Sequence, residues 1–351
     1  MNNNDTNILG TQPIGKLLIK MAVPTVLAQL VNLLYNIVDR IYVGRIPGSG
    51  SLALAGLGVT FPIILLISAF AALVGMGGAT RTAIAMGKKD NDTAEKLLGN
   101  SITLLVLVSI VLSVVFMLIK DPILMTFGAS EKTLPYASDY LTIYLLGTIF
   151  VQGSLGLNMF ITNQGFARTS MMTVLIGCTL NIILDPIFIF GLGMGVKGAA
   201  LATVLSQAVS AIWVVGFLCS KKSLLRVRKK NLILSMPLVS SIVSLGISPF
   251  IMQSTECLIQ LTFNHGMQTY GNDMYVALMS ILFSLMQIVF MPMMGLGQGA
   301  QPIISYNFGA KNMARAKHTF HILLTIGLVF TISSVAVVLF FPRVFLGLFT
   351  P

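Results

Sequence analysis

Long apolar segments dominate the chain and alternate with short polar connections. Each segment has about 20 residues or more, which is the length that an α-helix needs to cross the hydrocarbon core of a bilayer. The two longest connections on one side are 77–96 and 298–318. Nine such segments are present, at 17–43, 52–76, 97–119, 137–160, 171–191, 198–219, 236–268, 274–297 and 319–341. The pattern predicts an all-α polytopic membrane protein with about nine transmembrane helices.

The composition agrees with a membrane protein and argues against an enzyme. Of the 351 residues, 55% are hydrophobic and 9% are charged, and the mean hydropathy is +0.89. Soluble domains carry about 25% charged residues. The connections leave no room for a soluble catalytic domain, and the segments contain no nucleophile–base pair or metal cluster. We therefore expect no enzyme activity, no cofactor and no resident metal, although buried acids could bind a sodium ion.

Positive charges are distributed unequally between the two sides of the predicted membrane. With the N-terminus in the cytoplasm, sixteen Lys and Arg lie on that side: Lys16, Lys20, Arg81, Lys88, Lys89, Lys96, Arg168, Lys221, Lys222, Arg226, Arg228, Lys229, Lys230, Lys311, Arg315 and Lys317. Six lie on the other side: Arg40, Arg45, Lys120, Lys132, Lys197 and Arg343. Cytoplasmic loops carry an excess of Lys and Arg, so the N-terminus is predicted to be cytoplasmic. The net charge of +11 is then a topological signal rather than a sign of nucleic-acid binding, and KKSLLRVRKK (221–230) is a cytoplasmic linker.

The chain contains a weak internal repeat. GMGGATRTAIAMGKKDNDTAEK (75–96) resembles GLGQGAQPIISYNFGAKNMARAK (295–317), and AVPTVLAQL (22–30) resembles GISPFIMQS (246–254). Both copies begin with a span that runs outward, so a parallel repeat with two lobes is expected. Residues 1–220 would form an N-terminal lobe of six spans. Residues 221–351 would form the first three spans of a second lobe, so that three of an expected twelve helices are absent.

The first apolar segment carries a polar stripe. Its members recur at spacings of three and four, which places them on one helix face. A charge in such a segment is costly and faces a protein interior or a wet cavity. The stripe consists of Thr25, Gln29, Asn32, Asn36 and Asp39. It is the first sign of an ion or substrate pathway, and Pro24 beside it would kink the helix or act as a hinge.

Two further acids lie within predicted spans. Asp185 follows Asn181 by one helical turn and precedes Pro186, which removes a backbone hydrogen bond and frees a carbonyl group. The next span offers Thr203 and Ser206. Such oxygen-rich groups could bind a proton or sodium, or could form a purely structural hydrogen-bonded cluster.

The third acid, Glu256, belongs to a second polar stripe. Its partners are Gln253, Gln260 and Asn264. Glu256 lies seven residues after Pro249, whereas Asp39 lies fifteen after Pro24, and this difference corresponds to about 12 Å of helix. The two lobes are therefore expected to carry their acids at unequal depths.

Several motifs together resemble the multidrug and toxic compound extrusion (MATE) family, in a bacterial branch. They are LYNIVDRIYVGR, GKKDNDTAEK, LNIILDPIFIFGLGMGVKGAALAT and YNFGAKN, in the family's order and spacing. The resemblance implies two six-helix lobes around a V-shaped central cavity. It also implies the exchange of protons or sodium for cationic or amphipathic drugs. We expect a monomer in the bacterial inner membrane.

The resemblance also implies roles for individual residues. Pro24 matches a proline whose bending accompanies protonation in some members, and Glu256 matches an acid of the seventh helix, with Gln253 and Gln260 beside it. The residues that match the cation site of the N-terminal lobe are Asp39, Asn181, Asp185 and Thr203.

Two alternative functions have to be weighed against an ion-coupled drug exporter. A flippase for lipid-linked saccharides would need basic residues within the spans to hold a pyrophosphate, and apart from Lys20 and Arg40 near the membrane faces the spans have almost none. A channel or receptor would not explain a repeat with acids at unequal depths. We therefore expect an alternating-access antiporter whose partners are drugs, a coupling cation and the lipid bilayer.

Overall fold

The computed structural model describes residues 8–270 and 273–340, with side chains at all of these positions except 260, 264, 265, 267–270, 273–285, 288 and 338. All regular secondary structure within these ranges is helical, which confirms the predicted all-α membrane fold. A π-helical turn (Ile187–Gly191) follows α7, and a 3-10 turn (Lys229–Leu232) precedes α9. The helices are α1 (Ile8–Thr11), α2 (Ile14–Gly44), α3 (Gly50–Gly87), α4 (Asn91–Thr126), α5 (Leu134–Leu146), α6 (Thr148–Asn163), α7 (Ala167–Pro186), α8 (Val196–Cys219), α9 (Met236–Tyr270), α10 (Asp273–Gly309) and α11 (Met313–Phe340).

The predicted spans correspond to these helices with one change. Seven helices of the described part are long and apolar enough to cross a membrane, and α5 and α6, which meet at a 60° bend, are long and apolar enough only when taken together. The segment 137–160 is therefore not one straight helix. The bend lies at Gly147, where a Cβ atom would overlap the side chain of Val204 on α8. The eighth predicted segment, 274–297, lies on α10, and most of its side chains are outside the described part.

The prediction of two long connections at 77–96 and 298–318 is wrong, because helix continues through most of both ranges. Only three residues separate α3 from α4, and three separate α10 from α11. The two turns are built alike. Lys89 and Lys311 both have positive φ, at 62° and 58°. The next residue caps the following helix: Asp90 accepts a hydrogen bond from the Thr93 amide at 3.0 Å, and Asn312 accepts one from the Arg315 amide at 3.3 Å.

Glycines bring the two parts of the chain into direct backbone contact. Helix α9 packs against α3, and α10 packs against α2. A Cβ at Gly246 would overlap the carbonyl group of Leu73, and a Cβ at Gly299 would lie 2.5 Å from the Cα atom of Ala22. This crosswise pairing is what two parallel repeats would produce, and the lobe boundaries at 220 and 221 remain a prediction. We refer to these two helix pairs as the glycine seam.

The basic linker is held by buried amide side chains. The Gln164 side-chain oxygen accepts hydrogen bonds from the Leu224 amide at 2.8 Å and the Ser223 hydroxyl at 2.9 Å. The Asn100 side-chain oxygen accepts one from the Ser235 amide at 2.7 Å. Ser223 and Leu225 are buried. The linker is therefore a strap across one end of the helices rather than a free loop.

Candidate cation and substrate site

Asp39 and Asp185 come together in the interior of the first six spans. Asp39 lies on α2 and is 8% exposed, and Asp185 lies on α7 and is fully buried. Their carboxyl groups lie beside each other, close enough for a hydrogen bond between the side chains. One oxygen of each carboxyl group, Oδ1 in both cases, is buried and has no hydrogen-bond partner among the described residues.

Local sequence explains how α7 presents its acid. Pro186 cannot donate a backbone hydrogen bond, and α7 ends there and widens into the π-helical turn. Such turns are rare and are often found at functional sites. Asp185 therefore lies at the point where regular α-helix stops. Asp39 is five residues from the end of α2, which is about 8 Å at 1.5 Å per residue.

Asn181 and Thr203 connect the acid pair to its surroundings. With the Asn181 amide oriented to satisfy both of its ends, its nitrogen donates to Asp185 Oδ2 at 2.9 Å and its oxygen accepts from the Thr203 backbone amide at 3.2 Å. The Thr203 hydroxyl donates to the Ala199 carbonyl at 3.0 Å. All four residues expected from the sequence, Asp39, Asn181, Asp185 and Thr203, thus form one buried cluster.

Two tyrosines complete the cluster, and the sequence analysis missed both. The Tyr35 and Tyr140 hydroxyls lie beside Thr203 and near Asp39. Tyr35 could have been found, because it precedes Asp39 by four residues and so shares the face of the polar stripe. Tyr140 lies on α5, where Tyr136, Tyr140 and Tyr144 recur every four residues on one helix face, but only the tertiary fold brings it to the acids.

A cavity of about 110 Å³ begins at this cluster and extends between α2, α6, α7 and α8. Thr25, Gln29 and Asn32 of the predicted stripe line it, whereas Asn36 instead donates to the Asn32 carbonyl at 2.7 Å. None of the lining residues is charged. The polar lining residues on the other helices are Ser154, Asn158, Ser170, Thr173, Asn181, Thr203, Ser206, Gln207, Ser210 and Gln298. Asn181, Thr203 and Tyr35 belong both to the cavity wall and to the acid cluster.

The chemistry of the pair follows from its burial and contact. Two adjacent buried carboxylates repel strongly unless a proton or a metal cation lies between them. A hydrogen bond between them requires a proton on one. The carboxylate and hydroxyl oxygens of the cluster are also the ligands that hard cations such as sodium prefer. The arrangement can therefore take up and release one positive charge. A change in the charge of Asp185 would alter its hydrogen bond with Asn181, which in turn bonds Thr203, and both residues line the cavity.

The residues of the second stripe lie elsewhere. Glu256 is partly buried on α9, and the described neighbours of Asp39 and Asp185 do not include it. The buried Gln253 side-chain oxygen has no partner among the described residues. The side chain of Gln260 lies outside the described part. Pro24 is buried within the continuous helix α2 and precedes Thr25, whose hydroxyl donates to the Gly295 carbonyl at 2.6 Å.

Comparison with known proteins identifies the family. The MatE family model matches residues 24–187 and 249–351. The multidrug export protein MepA of Staphylococcus haemolyticus (strain JCSC1435) is 31% identical over 92% of this chain and 71% of its own length. MepA of Staphylococcus aureus (strain MSSA476) is 29% identical over 93% of this chain and 71% of its own length.

A solved structure has the same fold. It is described as the outward-facing conformation of a multidrug resistance MATE family transporter of the MOP superfamily, and it superposes with a TM-score of 0.91 at 24% identity. The match covers 100% of this chain and 77% of that one. Since the family model covers well over half of the residues, the chain belongs to the MatE family, the multidrug and toxic compound extrusion family that its motifs resemble.

Proposed function

We propose that the protein exports cationic or amphipathic drugs in exchange for a proton or a sodium ion, by alternating access in the bacterial inner membrane. The observation that carries the proposal is the position of the Asp39–Asp185 pair at one end of a polar cavity with uncharged walls. The two relatives named multidrug export proteins support drug export as the transported class.

Coupling would act through the residues that the cluster and the cavity share. When a cation neutralises the acid pair, Asp185 no longer attracts the Asn181 amide with a full negative charge. Asn181 and Thr203 can then change their hydrogen bonds at the cavity wall. A cation and a drug that change each other's affinity in this way are linked thermodynamically, and the coupling is reciprocal.

The cavity must widen to hold a drug. Drug-sized pockets have volumes of about 300–1,000 Å³, and this cavity has about 110 Å³. Gln298 of α10 lines it, and its side chain accepts a hydrogen bond from Gln29 at 3.1 Å. Separation of α10 from α2 would therefore enlarge the cavity. An adjoining groove of about 500 Å³ could take the apolar part of a ligand; it is lined by Met76, Met252, Met293, Met294, Phe290 and Phe320, among others.

A flippase for lipid-linked saccharides is the second candidate, and the cavity lining disfavours it. A pyrophosphate group is held by Arg, Lys or helix N-termini. The walls of the cavity contain no Lys or Arg. The acid pair at its end would also repel an anionic substrate.

Drug-resistance and uptake assays test the proposal. In an efflux-deficient host and in proteoliposomes, sodium is varied at fixed pH and pH is varied at fixed sodium. We expect drug transport to depend on one of the two cations. We also expect Asp39→Asn and Asp185→Asn each to abolish that dependence at normal membrane insertion, because the amide keeps the size of the carboxyl group but cannot take up charge.

Asp92→Asn is the matched control. Asp92 is exposed at the start of α4, where it pairs with Lys96, and its loss should leave transport unchanged. Wild-type transport by both Asp39→Asn and Asp185→Asn at equal expression would remove the acid pair from the mechanism.

A further inference from the structure

A second water-accessible space lies on the opposite side of the acid pair from the polar cavity. It has a volume of about 550 Å³ and lies among the ends of α2, α5 and α8 and the π-helical turn. We call it the outer vestibule, because the predicted topology places it on the side away from the cytoplasm. Its lining includes Ile46, Ser49, Tyr136, Asp139, Ile189, Met194, Val196 and Lys197.

Four chain segments lead from the vestibule lining directly to the acid cluster. Tyr136 precedes Tyr140 by four residues on α5, and Ile189 follows Asp185 by four residues. On two further segments, Ile46 follows Asp39 by seven residues, and Val196 precedes Thr203 by seven. At 1.5 Å per residue these separations correspond to about 6–10 Å. The vestibule therefore lies outside the acid pair at a depth of one to two helical turns.

The layer between vestibule and acids is thin and apolar. Val43, Ile189, Val196 and Ala199 are buried there in one hydrophobic cluster. The π-helical turn contributes Ile189, and the loop that follows has left-handed glycines at Gly193 (φ 64°) and Gly195 (φ 56°). The Met194 and Gly195 amides donate to the Phe188 and Ile189 carbonyls, so a shift of this loop would move Ile189 with it and admit water to the layer. The unpartnered Oδ1 atoms of Asp39 and Asp185 lie inward of it.

The vestibule carries one ion pair on its wall. Lys197 Nζ lies 3.4 Å from Asp139 Oδ2, and both side chains are about half exposed. These are the charged residues of the vestibule lining, and Tyr136 is its other titratable group. A cation that enters meets Asp139 as an attractive charge and Lys197 as a repulsive one. The net charge of this pair should therefore set how readily a cation enters the vestibule.

We propose that the coupling cation reaches Asp39 and Asp185 from the outer vestibule, through the layer formed by Val43, Ile189, Val196 and Ala199, while the drug occupies the polar cavity on the other side. This inference rests on the proposed function. The two ligands then have separate paths to one cluster. Cation access can accordingly be blocked without any contact with the drug site.

Chemical modification after folding tests the route without a folding defect. Ser49→Cys places a thiol in the vestibule lining, and Ser51→Cys places one on the adjacent exposed surface as a control. Cys178, Cys219 and Cys257 are replaced by Ala in both. The purified protein in proteoliposomes is treated with an impermeant trimethylammonium thiosulfonate or with its uncharged tert-butyl analogue. Cation-driven drug uptake and equilibrium drug binding are measured before and after.

Modification at position 49 should slow cation-driven uptake about tenfold, which corresponds to 1.4 kcal/mol of barrier. The cationic label should act more strongly than the neutral one, and drug affinity without a gradient should be unchanged. Modification at position 51 should have no effect. Complete labelling at position 49 with unaltered uptake, or a parallel loss of drug binding, would overturn the separate route. If the unmodified protein shows no cation dependence, the proposed function itself fails, and the route fails with it.

The Asp139–Lys197 ion pair provides an independent test, because removal of either charge should shift the half-saturating cation concentration in opposite directions. Lys197→Gln should lower the half-saturating cation concentration, and Asp139→Asn should raise it, because each variant leaves one charge of the pair at the vestibule wall. Sodium and proton gradients are applied separately to identify the cation. Equal or same-direction shifts in both variants would contradict access through the vestibule.

Discussion

Thr203 is one of three residues that belong both to the acid cluster and to the wall of the polar cavity. Its backbone amide holds the Asn181 oxygen at 3.2 Å, its hydroxyl donates to the Ala199 carbonyl, and Tyr35 and Tyr140 flank it. It also lines the polar cavity. The sequence predicted its participation from the resemblance and from its place in the span after Asp185. It did not predict that the backbone, as well as the side chain, would be used.

Thr203→Val should weaken cation binding and leave the cavity shape intact. Valine matches threonine in size but cannot hydrogen-bond the tyrosine hydroxyls, and an unsatisfied buried polar group costs about 1–3 kcal/mol. We expect the half-saturating cation concentration to rise about tenfold or more, since 1.4 kcal/mol is a factor of ten. Thr203→Ser should restore most of the affinity. Equal cation dependence in Thr203→Val and wild type would show that the hydroxyl has no part in the site.

Among the helices, the glycine seam determines how closely α9 approaches α3 and α10 approaches α2. A Cβ at Gly246 would meet the backbone of Leu73, which cannot rotate away as a side chain could. Gly216 on α8 is exposed and has open space around its Cα atom. These two glycines therefore separate the effect of the seam from the general effect of glycine in a helix.

Gly246→Ala should destabilise the closely packed arrangement by about 1–3 kcal/mol, the usual cost of overpacking. Gly216→Ala should be neutral or stabilising by about 0.5–1 kcal/mol, because alanine is the better helix former. Thermal unfolding in detergent measures both. A Gly246→Ala variant as stable as Gly216→Ala would mean that α3 and α9 do not need this contact.

Helices that face lipid could be predicted from the sequence, whereas features that depend on packing between helices could not. Hydropathy located the spans that the described residues contain, because lipid exposure requires an apolar surface. It could not locate the end of α3, because residues 77–87 pack against other helices and so are glycine- and alanine-rich without being strongly apolar. Nor could it find the bend at Gly147, which depends on the approach of Val204 from another helix.

The charged residues of the site could be predicted from the sequence, because a buried charge in an apolar span is costly, but the uncharged residues could not. Asp39 and Asp185 were identifiable because a carboxylate in an apolar span needs a reason to be there. Ser154 and Gln207, which hydrogen-bond across the cavity, gave no such signal because serine and glutamine are tolerated in helices for many reasons. Tyr140 was hidden for the same reason, since buried tyrosines are common.

On the scale of the whole molecule, the short helix α1 joins the two parts of the chain at the end that is predicted to face the cytoplasm, which we call the inner end. Leu9 is buried, and its side chain lies where a Cβ atom at Gly165 would meet it. Its carbonyl accepts a hydrogen bond from the buried Asn307 side chain at 2.9 Å, and Arg315 donates to the Gln12 carbonyl at 2.7 Å. These contacts would have to break for the inner side to open.

Arg315→Gln should therefore shift the protein towards inner opening. Spin labels at positions 88 and 317, both exposed at the inner ends of α3 and α11, would report this as a population at longer distances. Arg228→Gln breaks the ion pair between the linker and Glu95 (2.8 Å) without touching α1, and it should leave the distances unchanged. Identical distributions in the two variants would show that α1 does not restrain the opening.

The predicted orientation is tested by thiol labelling in intact cells. Ser223 is unsuitable because it is buried under the Gln164 hydrogen bonds. Lys229 is exposed in the same linker, so Lys229→Cys is the better probe. A cytoplasmic linker predicts labelling by an impermeant reagent only after lysis. Labelling before lysis would reverse the topology.

The most direct measurement of the central claim is the affinity of the purified protein for a cationic drug as a function of cation concentration. Sodium is titrated at fixed pH and pH at fixed sodium, for the wild type and for the double variant Asp39→Asn/Asp185→Asn. If the acid pair is the coupling site, the Kd for the drug rises with the concentration of one cation in the wild type. In the double variant the Kd is independent of that cation, because linkage requires a site for the cation. The same cation dependence in both proteins would contradict the account.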